Sequence, residues 1–262
     1  DCLLSRGLGD VYKRQGTYME IKNPLIYYRE NYIDFRLECL RGIEGNCLDI
    51  SFGIKLENKI VGLMPVFLTQ NSNKNELSFL ENSIYPIKFI SSISLNVKKE
   101  IINQIITDFL TLSESLKIKN ITFIDQLTPS TKLSLWHKIL IQNSLKCHVT
   151  RELFTNLKLD YMDLRKYYRK SYKSLISKGS SILNSYKFKG DDKSIWQEFK
   201  SLHFKAAGRK TRSDRSWDLL FDEILNNESS FYYCTDKNGV MVGGSFIMEN
   251  EFEAVYAVAA YD

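Results

Sequence analysis

Apolar positions along this chain follow two alternating periods, one near 3.6 residues and one near 2. Asn23-Pro24 sets a capping asparagine before a first-turn proline and predicts a helix running to about Leu40. Leu48 to Leu56 and Ile60 to Thr69 are β-rich runs on either side of Glu57-Asn58-Lys59, the pattern of a hairpin. The polar stretch Asn71 to Asn75 predicts a loop. From near Asn96, a helical face collects Ile101, Ile105, Ile106, Phe109, Leu112 and Leu116. A short strand Ile121–Ile124, a helix at about 131–144 and a strand at about 151–159 follow.

The second half opens with a basic stretch from about Tyr161 that predicts one long helix, 161–189. Ser194-Ile-Trp-Gln197 has the spacing of a capping box, with Ile195, Phe199, Leu202 and Ala206 as the apolar stripe behind it and Gly208 as the C-cap. Ser213 opens another helix, with Trp217, Leu220, Phe221 and Ile224 on its inner face. Phe231 to Thr235, Val240 to Glu249 and Phe252 to Tyr261 read as three consecutive antiparallel strands. Helices alternating with hairpins predict an α+β, or mixed α/β, fold. One internal similarity stands out: Ile54 to Met64 and Tyr233 to Gly244 both run strand, polar turn, apolar strand, with Val61-Gly62 matching Val242-Gly243. That match predicts two related units in tandem.

Composition narrows the class. The 262 residues are 44% hydrophobic and 26% charged, which excludes a disordered or low-complexity chain. The longest apolar run, Ile60 to Leu68, is about half of what a membrane span requires, so no transmembrane segment is expected. Cys2, Cys39, Cys47, Cys147 and Cys234 are scattered without metal-ligand spacing, which favours a reduced, cytoplasmic protein and no metal site. A formal net charge of +5 favours anionic ligands. Asp1–Gln15 matches neither period and reads as a non-native, adapter-like segment. The apolar alternation Ala254–Asp262 has nothing after it to cover it, so the chain is expected to be a fragment with an incomplete second unit. The expected boundaries are 1–15, 16–159 and 160–262.

Charge locates the candidate chemistry. Residues 161–189 hold eight Lys/Arg against the single acid Asp163, and Arg165, Arg169 and Lys173 fall at i, i+4 and i+8 of the expected helix. Such a row is either a solvated face or the footprint of phosphate, RNA or an anionic membrane surface. Gly208-Arg-Lys-Thr-Arg212 precedes the helix opened by Ser213. A basic loop beside a helix N-terminus suits an anion, which nominates Arg209 and Arg212 as ligand contacts. Gly243 and Gly244 interrupt a strand, which points to a bulge, a close backbone approach or a simple twist. Tyr256 and Tyr261, five apart on a strand, are expected on opposite faces. His203 lies a turn beyond Phe199, as a packed histidine would.

Leu164-Arg-Lys-Tyr-Tyr-Arg-Lys-Ser-Tyr-Lys-Ser-Leu-Ile-Ser-Lys-Gly179 resembles the basic helix of FemAB-type proteins, and Leu202 to Arg212 with Trp217, the Val242-Gly243-Gly244 strand and Tyr256 to Asp262 fit the same family. The resemblance implies tandem GNAT-like (N-acetyltransferase-type) units, each a mostly antiparallel sheet flanked by helices. It implies transfer of an acyl or aminoacyl group to an amine on a cell-envelope or surface-glycan precursor, peptidoglycan among them. The donor would be acyl-CoA or aminoacyl-tRNA as a co-substrate, with no tightly bound cofactor. Partners would be a phosphate-bearing or glycan-precursor acceptor and tRNA; apart from the resemblance, the basic segment leaves open peripheral contact with the inner membrane surface. By resemblance, His203 and Tyr256 become catalytic candidates and Gly243 and Gly244 substrate contacts; Arg169, Lys173, Arg209 and Arg212 are expected substrate contacts on their charge and placement. The competing expectation is a non-catalytic module that binds nucleic acid or an anionic surface through 161–189.

Overall fold

A computed structural model describes residues 26–149 and 158–262, apart from 45, 58, 72–73, 81–82, 91 and 126–131. Asn23-Pro24, the segment 1–15 and nearly all of the expected strand at 151–159 lie outside these residues. The described elements are α1 (Glu30–Glu44), β1 (Asn46–Asp49), β2 (Phe52–Leu56), β3 (Lys59–Met64), β4 (Phe67–Asn71), β5 (Lys74–Ser78) and β6 (Lys88–Phe89). They continue with α2 (Leu95–Ser115), α3 (Leu135–Gln142), α4 (Tyr161–Tyr167), α5 (Lys170–Ile182), β7 (Asn184–Lys187) and α6 (Lys193–Ala207). The last are α7 (Asp214–Leu225), β8 (Ser229–Thr235), β9 (Met241–Glu249) and β10 (Ala254–Tyr261). The fold is α+β with antiparallel strand pairing in every sheet. Two compact units divide the chain, residues 1–147 with 212–219 and residues 148–211 with 220–262.

The first unit has two three-stranded sheets, ordered β1-β4-β5 and β2-β3-β6. The two long runs expected to form one hairpin instead bend midway, so each run supplies a strand to both sheets. The corner has its own bonds: Asp49 accepts from the Ser51 amide at 2.9 Å, and Ser51 Oγ accepts from the Val66 amide at 3.1 Å. Polar and proline residues at 51 and 65 allow the bend because the side chain replaces the ladder bonds lost there. Helix α2 starts at the N-cap Ser94, whose hydroxyl accepts from the Val97 amide, and buries Ile102, Ile105, Ile106 and Phe109. These pack with Val61, Met64, Ile84, Trp136 and Ile139 in one apolar core. The expected strand 121–124 is reduced to a single parallel bridge between Ile84 and Phe123.

The second unit is a four-stranded sheet in the order β10-β9-β8-β7, with α6 packed on one face. The core is aromatic: Trp196 meets Phe231 edge-on at 5.3 Å, and Phe199 lies 4.5 Å from Phe231. Edge and tilted ring contacts of this kind add to the area buried. Here the structure corrects three expectations. Asp192, not Ser194, caps α6, accepting from the Ser194 amide at 2.8 Å, and the buried stripe is Trp196, Phe199 and Leu202 while Ala206 is exposed. Gly208 does close the helix in the left-handed conformation, with φ 65°. The expected basic helix 161–189 is two short helices, broken where Tyr168 and Arg169 are extended, and its end forms β7. Arg169 is therefore the N-cap of α5, and Arg165, Arg169 and Lys173 do not share a helical row. Like charges at helical spacing disfavour a continuous helix, and the break separates them.

Candidate functional site

The second unit's sheet has one face covered by α6 and one open face. Register assigns residues to each, because directly opposed side chains point the same way. On the covered face, Phe231 pairs with Phe246, and Phe246 with Val258. Gly244 belongs there too: a Cβ on it would lie 2.7 Å from the Phe199 ring and 2.9 Å from Phe231. Glycine at 244 is thus what lets α6 approach the sheet.

On the open face Lys187 opposes Tyr232, Tyr232 opposes Ser245, and Ser185, Cys234, Gly243 and Tyr261 follow one another across all four strands. These residues line a cavity of about 560 Å³, large enough for a small organic group. Its floor is low because Gly243 and Ser245 are small, and its walls are tyrosines. Ser185 Oγ and Cys234 Sγ share a hydrogen bond of 3.3 Å, and the Lys187 ammonium stands 5.6 Å over the Tyr232 ring at the rim.

Tyr256 joins this face through a bulge. The ladder pairs Tyr256 with Ile247 and then Val258 with Phe246, leaving Ala257 as the extra residue. A bulge shifts the alternation by one residue, so Tyr256 and Val258 point to opposite faces and Tyr256 and Tyr261 to the same one. The expectation that the two tyrosines face opposite sides is overturned, and their hydroxyls are hydrogen-bonded to each other. Desolvation by burial, then the neighbouring Tyr261, hold the Tyr256 phenol above the ordinary tyrosine range, with a Ser245 hydrogen bond opposing them. A tyrosine phenol is protonated at neutral pH with or without this shift and can donate a hydrogen bond; the shift makes it a weaker acid.

The other candidates lie elsewhere. His203 is on α6, half-buried, and that helix covers the face opposite the cavity. Arg169 is exposed, and Lys173 donates to the Lys166 carbonyl at 3.2 Å. Arg209 is exposed in the second unit. Arg212 belongs to the first unit, half-buried, its guanidinium bonded to the Cys39 thiol and 5.6 Å from the Trp217 ring centre. Burial raises the Cys39 thiol, and Arg212 opposes that shift. His137, given no role from sequence, sits in the first unit with Nδ1 3.8 Å from Asp125, beside the α3 cap Ser134.

Sequence reasoning missed Ser185, Lys187, Tyr232, Cys234 and Ser245. The signal for one of them was present: Ser245 alternates with Gly243, already a candidate, on one strand, leaving a row of small side chains on one face. Lys187 and Ser185 were hidden because their strand was read as helix. Among the described residues, no group of His, Cys, Asp and Glu could hold a metal ion, and no helix is long and apolar enough to cross a membrane.

No family model matches this chain. No curated protein matches it. Among solved structures, the chain is similar to one titled "Crystal structure of FemX", with a TM-score of 0.59 and 8% sequence identity, over 95% of this chain and 79% of that one. The antiparallel sheets, the flanking helices and this extended superposition together give the chain a FemAB-like fold.

Proposed function

We propose that the protein transfers an acyl or aminoacyl group to an amine, with the open-face cavity of the β7–β10 sheet as the transfer site. The observation that carries the reading is the hydroxyl chain Ser245–Tyr256–Tyr261 bordering that cavity. The FemAB-type sequence resemblance and the likeness of fold to FemX support the same class. In such a transfer the amine nitrogen attacks the donor carbonyl. A C–N bond forms, the C–O or C–S bond to the leaving group breaks, and the amine proton must reach the leaving group or solvent. No enzyme nucleophile is needed; alignment and a proton route are. Tyr256 donates its proton to the departing oxygen or sulfur, and the proton the amine loses on forming the C–N bond restores it through Tyr261 and Ser245. The donor is acyl-CoA or aminoacyl-tRNA, and the acceptor is an amine on an envelope or glycan precursor that carries phosphate, for which Lys187 is the nearest cation at the rim.

The test is amide formation, read by mass spectrometry, with acyl-CoA or aminoacyl-tRNA as donor and a nucleotide-linked muropeptide as acceptor. Replacing both phenols (Tyr256→Phe with Tyr261→Phe) is expected to slow transfer by about 10²-fold while melting temperature stays within a few degrees. Transfer at the unaltered rate in that variant would remove the cavity from the mechanism. Absence of transfer with every donor, alongside tight RNA binding by the basic segment, would favour a binding module instead.

A further inference from the structure

We infer that α5 is an interfacial helix that docks the protein onto an anionic lipid surface. This inference is independent of the transfer reading. Tyr172, Leu175, Ile176, Gly179 and Ile182 recur at i, i+3, i+4, i+7 and i+10 along α5, which makes one continuous apolar face. The opposite side is made only of Ser171, Ser174, Ser177, Ser180, Ser181 and lysines. In α2 and α6 an equivalent stripe is buried in a core. In α5 no residue is buried, and Tyr172, Leu175 and Ile182 are 56%, 62% and 46% exposed. Exposed apolar side chains also group among the described residues as tyrosines on the open face of the β7–β10 sheet and as Tyr161, Met162 and Tyr167 on α4; α5 is the helix whose aliphatic stripe is exposed along its length.

Charge identifies the occupant. Lys173 and Lys178 flank the apolar face on either side, where their aliphatic stems can lie along it; Lys178 is exposed, and Lys173 holds its ammonium on the Lys166 carbonyl at 3.2 Å. Arg169 and Lys170 stand at the N-terminal end, and α5 contains no acid. In the preceding helix α4, Arg165 donates to Ser177 at 2.7 Å and Lys166 pairs with Asp163, the one acid of that helix. Apolar side chains flanked by lysines, with a small-residue polar face and no negative charge, are the composition of a helix lying in the headgroup region of an anionic bilayer. RNA would be served by the cations alone and leaves the row Leu175, Ile176, Ile182 unexplained. A partner protein groove would leave the cations without complement unless it too were acidic.

Vesicle co-sedimentation of the full chain tests this, with phosphatidylglycerol–phosphatidylcholine vesicles against pure phosphatidylcholine. Binding is expected only with the anionic lipid and is expected to fall on the order of tenfold in either Leu175→Ser/Ile182→Ser or Lys173→Gln/Lys178→Gln. Far-UV circular dichroism and melting temperature show that each variant folds. Insertion is read independently with Tyr172→Trp and brominated lipid. Trp136, Trp196 and Trp217 are at most 4% exposed, so quenching reports position 172. Strong quenching supports the inference even if a double variant misfolds. No anionic-vesicle binding, equal binding to phosphatidylcholine, or binding unaffected by Leu175→Ser/Ile182→Ser without quenching would overturn it. So would tRNA binding that depends on the lysines in the absence of any vesicle binding.

Discussion

The hairpins β2–β3 and β8–β9 are built alike and end in opposite environments. Each carries Val-Gly in its second strand, and each has a bulge at that valine. Ile54 pairs with Gly62 before Lys55 pairs with Ile60, and Cys234 pairs with Gly243 before Thr235 pairs with Met241. In both, the glycine pairs on its other side with a third antiparallel strand, through Phe89 or Tyr261. The difference is what stands over it. A Cβ on Gly62 would meet Ile54 at 3.1 Å and Ile87 at 3.3 Å, both buried in the first unit's core. A Cβ on Gly243 would meet the Tyr261 ring at 3.3 Å, a side chain that is 61% exposed beside the cavity. The bulge with its glycine is thus a feature of the scaffold. Neighbouring side chains, filled in one unit and left open and hydroxylated in the other, decide whether it can host chemistry.

The sharpest way to break this comparison is to add one methyl group at each glycine. Gly244→Ala is expected to cost most, about 2–3 kcal/mol in urea unfolding, because the added carbon falls 2.7 Å from Phe199 and 2.9 Å from Phe231, rings locked against each other. Gly62→Ala is expected to cost about 1 kcal/mol, since the two closest neighbours are side-chain methyl groups that can shift by a few tenths of an ångström, while the Lys88 carbonyl oxygen stands farther off at 3.4 Å. If Gly62→Ala proves the more damaging, the close helix–sheet approach in the second unit has been misread.

Tyrosines give a second contrast. The first unit buries Tyr32, only 8% exposed, whereas Tyr256 and Tyr261 are 58% and 61% exposed. Burial pushes the Tyr32 phenol up to about 12, with Arg36 opposing it. Its folded value lies above the unfolded one, so the protonated form favours folding. That stability is fully present below about pH 10 and is lost as pH rises from about 10 to 12, on the order of 2–3 kcal/mol. Tyr32→Phe should therefore flatten the alkaline decline of stability in that window. An unchanged slope in the variant would mean that the hydroxyl titrates alike in both states.

How much was legible follows from where information is local. The stripe Trp217–Ile224 and the centre of the α2 stripe, Ile105, Ile106 and Phe109, were read correctly because helical spacing is recorded in nearby residues; the structure buries Ile102 beside them and leaves Ile101, Leu112 and Leu116 half-buried at the core's edge. The α6 cap moved from Ser194 to Asp192 because two capping residues lie in one short stretch and only geometry decides between them. The basic segment was read as one helix because charge hides the break at Tyr168 and the alternation of β7 spans only four residues. The site suffered most. Tyr256 was named, but its pairing with Tyr261 depends on the bulge at Ala257, and nothing in Val255-Tyr256-Ala257-Val258 marks the extra residue. Ser185 and Ser245, more than fifty residues apart in sequence, become neighbours of one cavity only through the order β10-β9-β8-β7.

The smallest expected change in stability, and the most informative about the cavity, is Gly243→Ala. The strand conformation there is open to any residue, and the nearest atom, Tyr261 Cδ1 at 3.3 Å, belongs to an exposed ring free to swing outward. Stability should therefore stay within about 0.5 kcal/mol of the parent. That swing is not neutral for the site. Moving the Tyr261 ring separates its hydroxyl from that of Tyr256, and the new methyl group rises from the cavity floor between Cys234 and Tyr261. Amide formation should fall by about tenfold or more while the urea midpoint holds. Gly62→Ala, at the equivalent bulge, should show the reverse, a lower midpoint with activity per folded molecule unchanged. If Gly243→Ala leaves transfer intact while Gly62→Ala abolishes it, the reacting groups meet in the first unit, and the open face of β7–β10 is only a surface.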